Sequence, residues 1–317
     1  MRLGSLPAML LAIPALALGA ESVATITILE GNAAILRAGS RLAADEGVGL
    51  QVDDVLETAS GAFLRLEYTP GPILDLGAGT RLMLGSFAST GTARPALYLL
   101  AGWLKLTSRG EAASQAVSAA SPRMDLADLK GVAVMHVGVR TSTAFIESGH
   151  AWVLDRRSRF AESMQLRGGD YIEFEGPKVP VRASGPSAAF LAAVPVPFRD
   201  SLPARLPVFA ERNVAPRDAG TFSYKDVEAW LKVDRTLGRR LVRVWGAKAD
   251  EPAFRAGLIA NLAEHPEWFP VLYPDCCDTT PADSGSSRPV RSPPGPAAPL
   301  IAAPLQPRSL PTNSRPD

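Results

Sequence analysis

The fold is decided by Pro72-Ile73-Leu74-Asp75-Leu76-Gly77, followed by Arg81-Leu82-Met83-Leu84-Gly85 and Leu97-Tyr98-Leu99-Leu100-Ala101-Gly102. The first two share the pattern Leu-x-Leu-Gly, and all three are too short for a helix that buries anything. Each closes on a residue that lets the backbone turn freely. Leu74, Leu76, Leu82 and Leu84 alternate with Asp75 and Met83, so one face of each rung is uniformly Leu. That period of two predicts short strands stacked side by side. No group capable of catalysis stands out in these runs.

The alternation recurs on both sides. Upstream, Ala24, Ile26 and Ile28 alternate with Thr25 and Thr27 as far as Glu30-Gly31-Asn32, a second run spans Ala34 to Arg37, and Leu50 to Leu56 reads as one strand. Within Phe63 to Tyr68, the residues Leu64, Leu66 and Tyr68 share a face, with Arg65 and Glu67 opposite. Downstream, runs at Val132 to Val137, Thr143 to Glu147, Ala151 to Leu154, Met164 to Leu166 and Tyr171 to Glu175 alternate in the same way. Turn signals such as Ser148-Gly149-His150 and Gly168-Gly169-Asp170 separate them, and the Ala- and Ser-rich stretch Glu111 to Ser121 reads as a loop or a loosely packed segment. The pattern predicts a mainly β domain, irregular β-solenoid-like or sandwich in form. It leaves the polar outward positions between the Leu rungs as the place to seek function.

Composition narrows the function classes. The 317 residues hold 33 basic and 32 acidic side chains, a net charge of +1, which gives no global electrostatic claim on nucleic acid. Arg2, the apolar run Leu6 to Leu18 and the small residues ending at Ala20 read as a signal peptide over 1–20. The competing reading, a membrane anchor, is disfavoured by Pro7 and Pro14 and by a run shorter than the ~20 residues a spanning helix needs. The mature protein is therefore expected to be periplasmic or secreted and not membrane-spanning. Cys276 and Cys277 are adjacent, so they cannot staple a core. They read as exposed thiols in a loose tail, with a strained vicinal bridge or interchain pairing as alternatives.

Several segments carry a resemblance: Leu56-Glu57-Thr58-Ala59-Ser60-Gly61-Ala62, the Leu-x-Leu-Gly rungs, Leu99 to Trp103, Val117 to Pro122, Phe145 to Val153 and Leu166 to Ile172. In this order they resemble the FecR-like domain, the periplasmic module of transmembrane regulators of iron uptake. The resemblance covers 23–176. It implies a non-enzymatic β-rich module that binds an envelope protein or other ligand. With five residues ahead of the apolar run, the chain reads as an exported form lacking the cytoplasmic and transmembrane parts.

Beyond Gly176 the sequence changes character. Prolines from Pro177 to Pro216 interrupt any regular element while Phe190, Leu191, Val194, Phe198, Leu202, Leu206 and Phe209 stay apolar, which predicts an extended strap over the β domain at 177–216. Ser223 with Asp226 marks a helix start. Val227, Trp230 and Leu231, continued by Leu237, Leu241, Val244 and Trp245, form its apolar face. Pro252 opens another helix bearing Phe254, Leu258 and Leu262. Three Trp residues within 223–270 predict a small helical core docked on the strap or sheet. The Pro- and Ser-rich segment 278–317 is expected to be disordered.

No catalytic constellation emerges. His136, His150 and His265 lack metal-ligand spacing, no nucleophile elbow or phosphate-binding loop is present, and no cofactor is implied. His150 reads as a turn residue. Glu173, Glu175 and Asp53 are the carboxylates that a glycan-processing alternative would use, if opposed partners existed. Arg235, Arg239 and Arg243 fall four apart on one helical stripe. They read either as a contact for an acidic partner, phosphate-bearing glycan or lipid head group, or as a solvated face paired with Asp234 and nearby acids. With Trp152 they are the candidate binding residues for an envelope protein or glycan. The metal and catalytic sets are empty.

Overall fold

The computed structural model describes residues 21–85, 96–108, 117–158, 163–212 and 214–276; the expected signal segment and tail lie outside them. Within these the strands are β1 (Ala24–Glu30), β2 (Ala33–Arg37), β3 (Ser40–Ala43), β4 (Gly49–Leu50), β5 (Val55–Thr58), β6 (Phe63–Tyr68), β7 (Ile73–Leu76) and β8 (Arg81–Leu84). They continue as β9 (Leu97–Thr107), β10 (Val117–Ala120), β11 (Met124–Val137), β12 (Thr141–Asp155), β13 (Ser163–Arg167), β14 (Tyr171–Glu175), β15 (Val181–Ala183) and β16 (Arg217–Thr221). The fold is mainly β. Pairing of these strands is antiparallel apart from β9 with β10.

Three long strands change partners halfway along and so divide the sheet into two layers. The first half of β9 pairs with β8 and its second half with β7. β11 passes from β10 to β9, and β12 from β14 to β13. Each bends at a glycine with positive φ: Gly102 (92°), Gly131 (125°) and Gly149 (80°). Gly131 and Gly149 are cross-strand partners. A Cβ on Gly149 would run into the Lys130 carbonyl, and one on Gly102 into the Thr80 main chain. The first layer is β4-β1-β6-β7 with the second halves of β9 and β11, the first half of β12, and β14 and β15. The second is β16-β3-β2-β5-β8 with the other halves of the long strands, β10 and β13. Their inner faces meet in one core that includes Ile26, Leu66, Met135 and Phe174 from the first layer and Ile35, Leu56, Leu126 and Val153 from the second.

The four rung leucines face this core and are fully buried. The rungs are not side by side, however. β7 and β8 lie in opposite layers, each paired with its own half of β9, because Gly77 to Thr80 carries the chain around the corner. A hydroxyl cluster holds that corner: Thr58 Oγ1 donates to the Gly77 carbonyl (2.6 Å) and accepts from the Thr80 amide (2.8 Å). Antiparallel pairing in two layers gives the sandwich rather than the solenoid form.

Other expectations change for local reasons. Ser148 to His150 is no turn but the bend inside β12. Leu50 to Leu56 is broken by a turn in which Asp53 adopts φ 74°. A bulge at Thr27 shifts the period of β1, so Ile28 leaves the inner face and Leu29 takes its place. The end of the expected loop, Val117 to Ala120, is a strand with Val117, Ala119 and Ala120 buried; the rest, 111–116, lies outside the described residues.

Many of the polar outward positions are covered rather than free. Over the first layer lies the segment after β15, with Phe190 and Phe198 buried against Phe63, Val134 and Tyr171. Each buried Phe contributes roughly 1.5–3 kcal/mol. The segment is less extended than its prolines imply, since Ser187 caps a short helix α1 (Ala188–Ala193) and two 3-10 turns follow. Leu191 points to solvent. Over the second layer lie α2 (Tyr224–Leu231), α3 (Arg235–Trp245), α4 (Pro252–Ala260) and α5 (Phe269–Leu272). Trp230, Trp245 and Trp268 are completely buried in one cluster with Leu36, Val55, Met83 and Tyr98 of the sheet. The helix expected to run on from Ser223 is two helices, because Asp234 accepts from the Thr236 and Leu237 amides (2.9 and 3.1 Å) and starts α3 anew. Lys248, 3% exposed, pins the helices to the sheet: it binds Glu251 (2.6 Å) and Thr221 Oγ1 (2.6 Å), and Thr221 donates to the Gly39 carbonyl (3.1 Å).

Replacing Gly149 with Val is expected to destabilise the fold by on the order of 2–4 kcal/mol, through strain and displacement of β11. Gly185→Ala, at a site with nothing within 4 Å, is expected to be near neutral. Urea unfolding of both variants checks this.

Candidate binding surfaces

Helix α3 is built from two opposed faces. Leu237, Leu241 and Trp245 are buried against the sheet, while Arg235, Arg239 and Arg243 are exposed on the other side. The fourth arginine, Arg240, turns inward and binds the Asp53 carboxylate and the Leu84 carbonyl (2.8 Å), fixing α3 to the strained turn before β5. Asp234, the expected neutralising partner of the stripe, is committed elsewhere. Besides capping the helix it pairs with Arg156 (2.7 Å), which also grips Asp125 (2.8 Å). Among the described residues, no ion pair or hydrogen bond reaches Arg235, Arg239 or Arg243. Arg37, Arg65, Arg156 and Arg157, by contrast, each hold a carboxylate within 2.8 Å.

The arrangement works against the helix itself. Arg235 occupies the first turn, where the macrodipole favours anions. Like charges four apart repel by roughly 0.2–0.5 kcal/mol per pair.

Trp152 stands on the outer face of the second layer, opposite Ala127 and Gln165, and is 38% exposed. Among the described residues, no ring or cation–π contact joins it to the α3 stripe, so the candidate binding residues form two separate features.

The other chemistry-bearing residues are engaged. Glu173 accepts from the Tyr171 hydroxyl (2.7 Å), Glu175 pairs with Lys178 (2.8 Å), and Asp53 is held by Arg240. His136 stacks on Trp103 with ring centroids 4.1 Å apart, and His150 lies within β12. His265 is fully buried, its Nε2 3.1 Å from the Tyr224 hydroxyl. Among the described residues, no group of three or more His, Cys, Asp or Glu is placed to hold a metal, and no helix is long and apolar enough to cross a membrane. Cys276 is exposed and unbridged; Cys277 lies outside the described residues.

No protein-family model and no curated protein matches the chain. Solved structures that resemble it in part include two crystal structures described as a "putative anti-sigma factor" from Parabacteroides distasonis ATCC 8503, each with a TM-score of 0.36, at 14% and 12% identity. The matches cover 44% of this chain and 62% and 63% of the other two, less than two thirds of either.

Sequence reasoning found the stripe from its spacing of four but missed the polar layer beneath the strap. Arg65 is bidentate to Asp75 (2.6 and 2.8 Å) and also donates to the Leu202 carbonyl (3.0 Å). Glu67 accepts from Thr27 Oγ1 (3.0 Å) and the Arg205 amide (2.7 Å). Alternation marked these positions as outward, but a covering segment more than a hundred residues away has no signature in them.

Two outcomes follow. Arg235→Glu is expected to stabilise the isolated protein by about 0.5–1 kcal/mol in urea unfolding, since it removes a repulsion and complements the helix dipole. Burial holds both His265 and His136 below their ordinary value of 6.5. The unfolded chain then takes up protons that the folded one refuses, so stability is full above about pH 6.5 and falls as the pH drops toward the folded values. Unfolding free energies between pH 7.5 and 5 are expected to show this slope, and His265→Gln to flatten it.

Proposed function

We propose that this chain is an exported, non-catalytic binding module of the FecR-like kind, which docks an acidic envelope protein through Arg235, Arg239 and Arg243 of α3. The observation that carries the reading is the stripe: three exposed guanidinium groups on one helix face, unpaired with any described residue, kept at a cost to the helix. Guanidinium groups recognise carboxylates with directional, bidentate hydrogen bonds, so an acidic partner offsets that cost and gains orientation. The partner's contribution is expected to weaken with salt, as rim charges do. A signalling role through protein contact belongs to the same proposal, as does a periplasmic or secreted location. The glycan-processing alternative has less support, because Glu173, Glu175 and Asp53 are each engaged by a neighbouring phenol or cation.

The test is site-specific photocrosslinking from position 236, beside the stripe, in cells exporting the full chain. A discrete protein adduct is expected in the wild type. It should be lost in the triple variant Arg235→Glu, Arg239→Glu, Arg243→Glu while the thermal midpoint is retained. An adduct that persists in the variant, or no adduct at all, contradicts the proposal.

A further inference from the structure

The helices cover only part of the second layer's outer face. Two neighbouring cross-strand rows divide that face. Leu36, Val55, Met83 and Tyr98 form one row and are buried beneath α2 to α4. The next row runs Ala43, Ala34, Glu57, Arg81 and Ala101 across β3, β2, β5, β8 and β9. Here the large apolar residues give way to alanines and charges, and the surface sinks into a cleft of about 580 Å³. That volume is within the roughly 300–1,000 Å³ typical of small-molecule sites. Arg41 reaches in from β3 to complete the wall.

The charges in this cleft are held loosely. Glu57 lies 3.4 Å from Arg41 Nη1 and 3.4 Å from Arg81 Nε, and its buried Oε1 makes no hydrogen bond. Elsewhere Arg37 and Arg65 grip their carboxylates at 2.6–2.8 Å in bidentate pairs. The two guanidinium groups of the cleft therefore keep N–H donors unused, while Glu57 keeps acceptor capacity between them.

The order donor, acceptor, donor selects among ligands. A phosphate or carboxylate held by both arginines would confront Glu57. A cation held by Glu57 would confront both arginines. A hydroxyl both donates and accepts, so a ring bearing adjacent hydroxyls satisfies all three groups at once while its apolar face lies on alanine. We propose that the Arg41–Glu57–Arg81 cleft is a binding site for a neutral saccharide. The ligand's hydroxyls donate to Glu57 and accept from Arg41 and Arg81, and Ala34, Ala43 and Ala101 form the floor. This site is separate from the α3 stripe, and neither proposal depends on the other.

Saturation-transfer NMR on the purified chain, with millimolar mixtures of neutral di- and trisaccharides built from glucose, galactose, mannose and N-acetylglucosamine, tests it. Transfer to at least one saccharide is expected, unaffected by inorganic phosphate. Arg81→Gln and Ala101→Leu are each expected to weaken that saccharide about tenfold or more, with the thermal midpoint retained. The first removes a donor, and the second fills the floor without touching a charge. Silence from every saccharide, displacement by phosphate, or transfer unchanged in both variants overturns the proposal.

Discussion

Arg65 is 4% exposed, and its carboxylate partner Asp75 is 2% exposed. An ion pair taken so far out of water holds only when its remaining donors are also satisfied, and breaking it by removing one partner costs on the order of 3–5 kcal/mol. The sheet does not satisfy those donors alone. The carbonyls of Leu202 and Pro203, far along the chain, accept from Arg65 Nη1 at 3.0 and 3.4 Å. Lys105 likewise donates to the Phe198 carbonyl, and Glu67 accepts from the Arg205 amide. The strap is thus read mainly through its backbone, with Phe190 and Phe198 as anchors. The first layer cannot bury its own polar residues without it.

The other face solves the same problem differently. There the cover is an apolar cluster around Trp230, Trp245 and Trp268, steadied at its margins by Arg240 on Asp53 and Lys248 on Glu251. With both outer faces largely enclosed by the second half of the chain, most of the sheet is scaffold. Among the described residues, recognition is left to the solvent side of the covers, where α3 carries its arginines, and to the uncovered parts of the second layer, which include Trp152 and the row of alanines and charges.

Much of this organisation was legible in the sequence. Leu74, Leu76, Leu82 and Leu84 face the core as their period requires, Ser223 and Asp226 form the capping box, and the spacing of Arg235, Arg239 and Arg243 placed them on one exposed stripe. What escaped depended on partners remote in sequence. Gly131 and Gly149 are bends in continuous strands, but a lone glycine reads the same in a turn. Asp75 reads as an outward polar residue until the strap closes over Arg65. The cleft exists only because Ala34, Glu57, Arg81 and Ala101 fall into register across four strands, and no single run of sequence contains that row.

Amide hydrogen exchange on the paired variant Arg65→Met, Asp75→Leu tests most directly whether the strap depends on the buried pair. Replacing both charges leaves the sheet no unpaired ion, so β6 and β7 keep their protection. Protection of the strap around Phe190, Phe198 and Arg205 is expected to fall well below wild type, with α2 to α4 unchanged. If the strap exchanges as slowly in the variant as in the wild type, the pair does not hold it and the account is wrong.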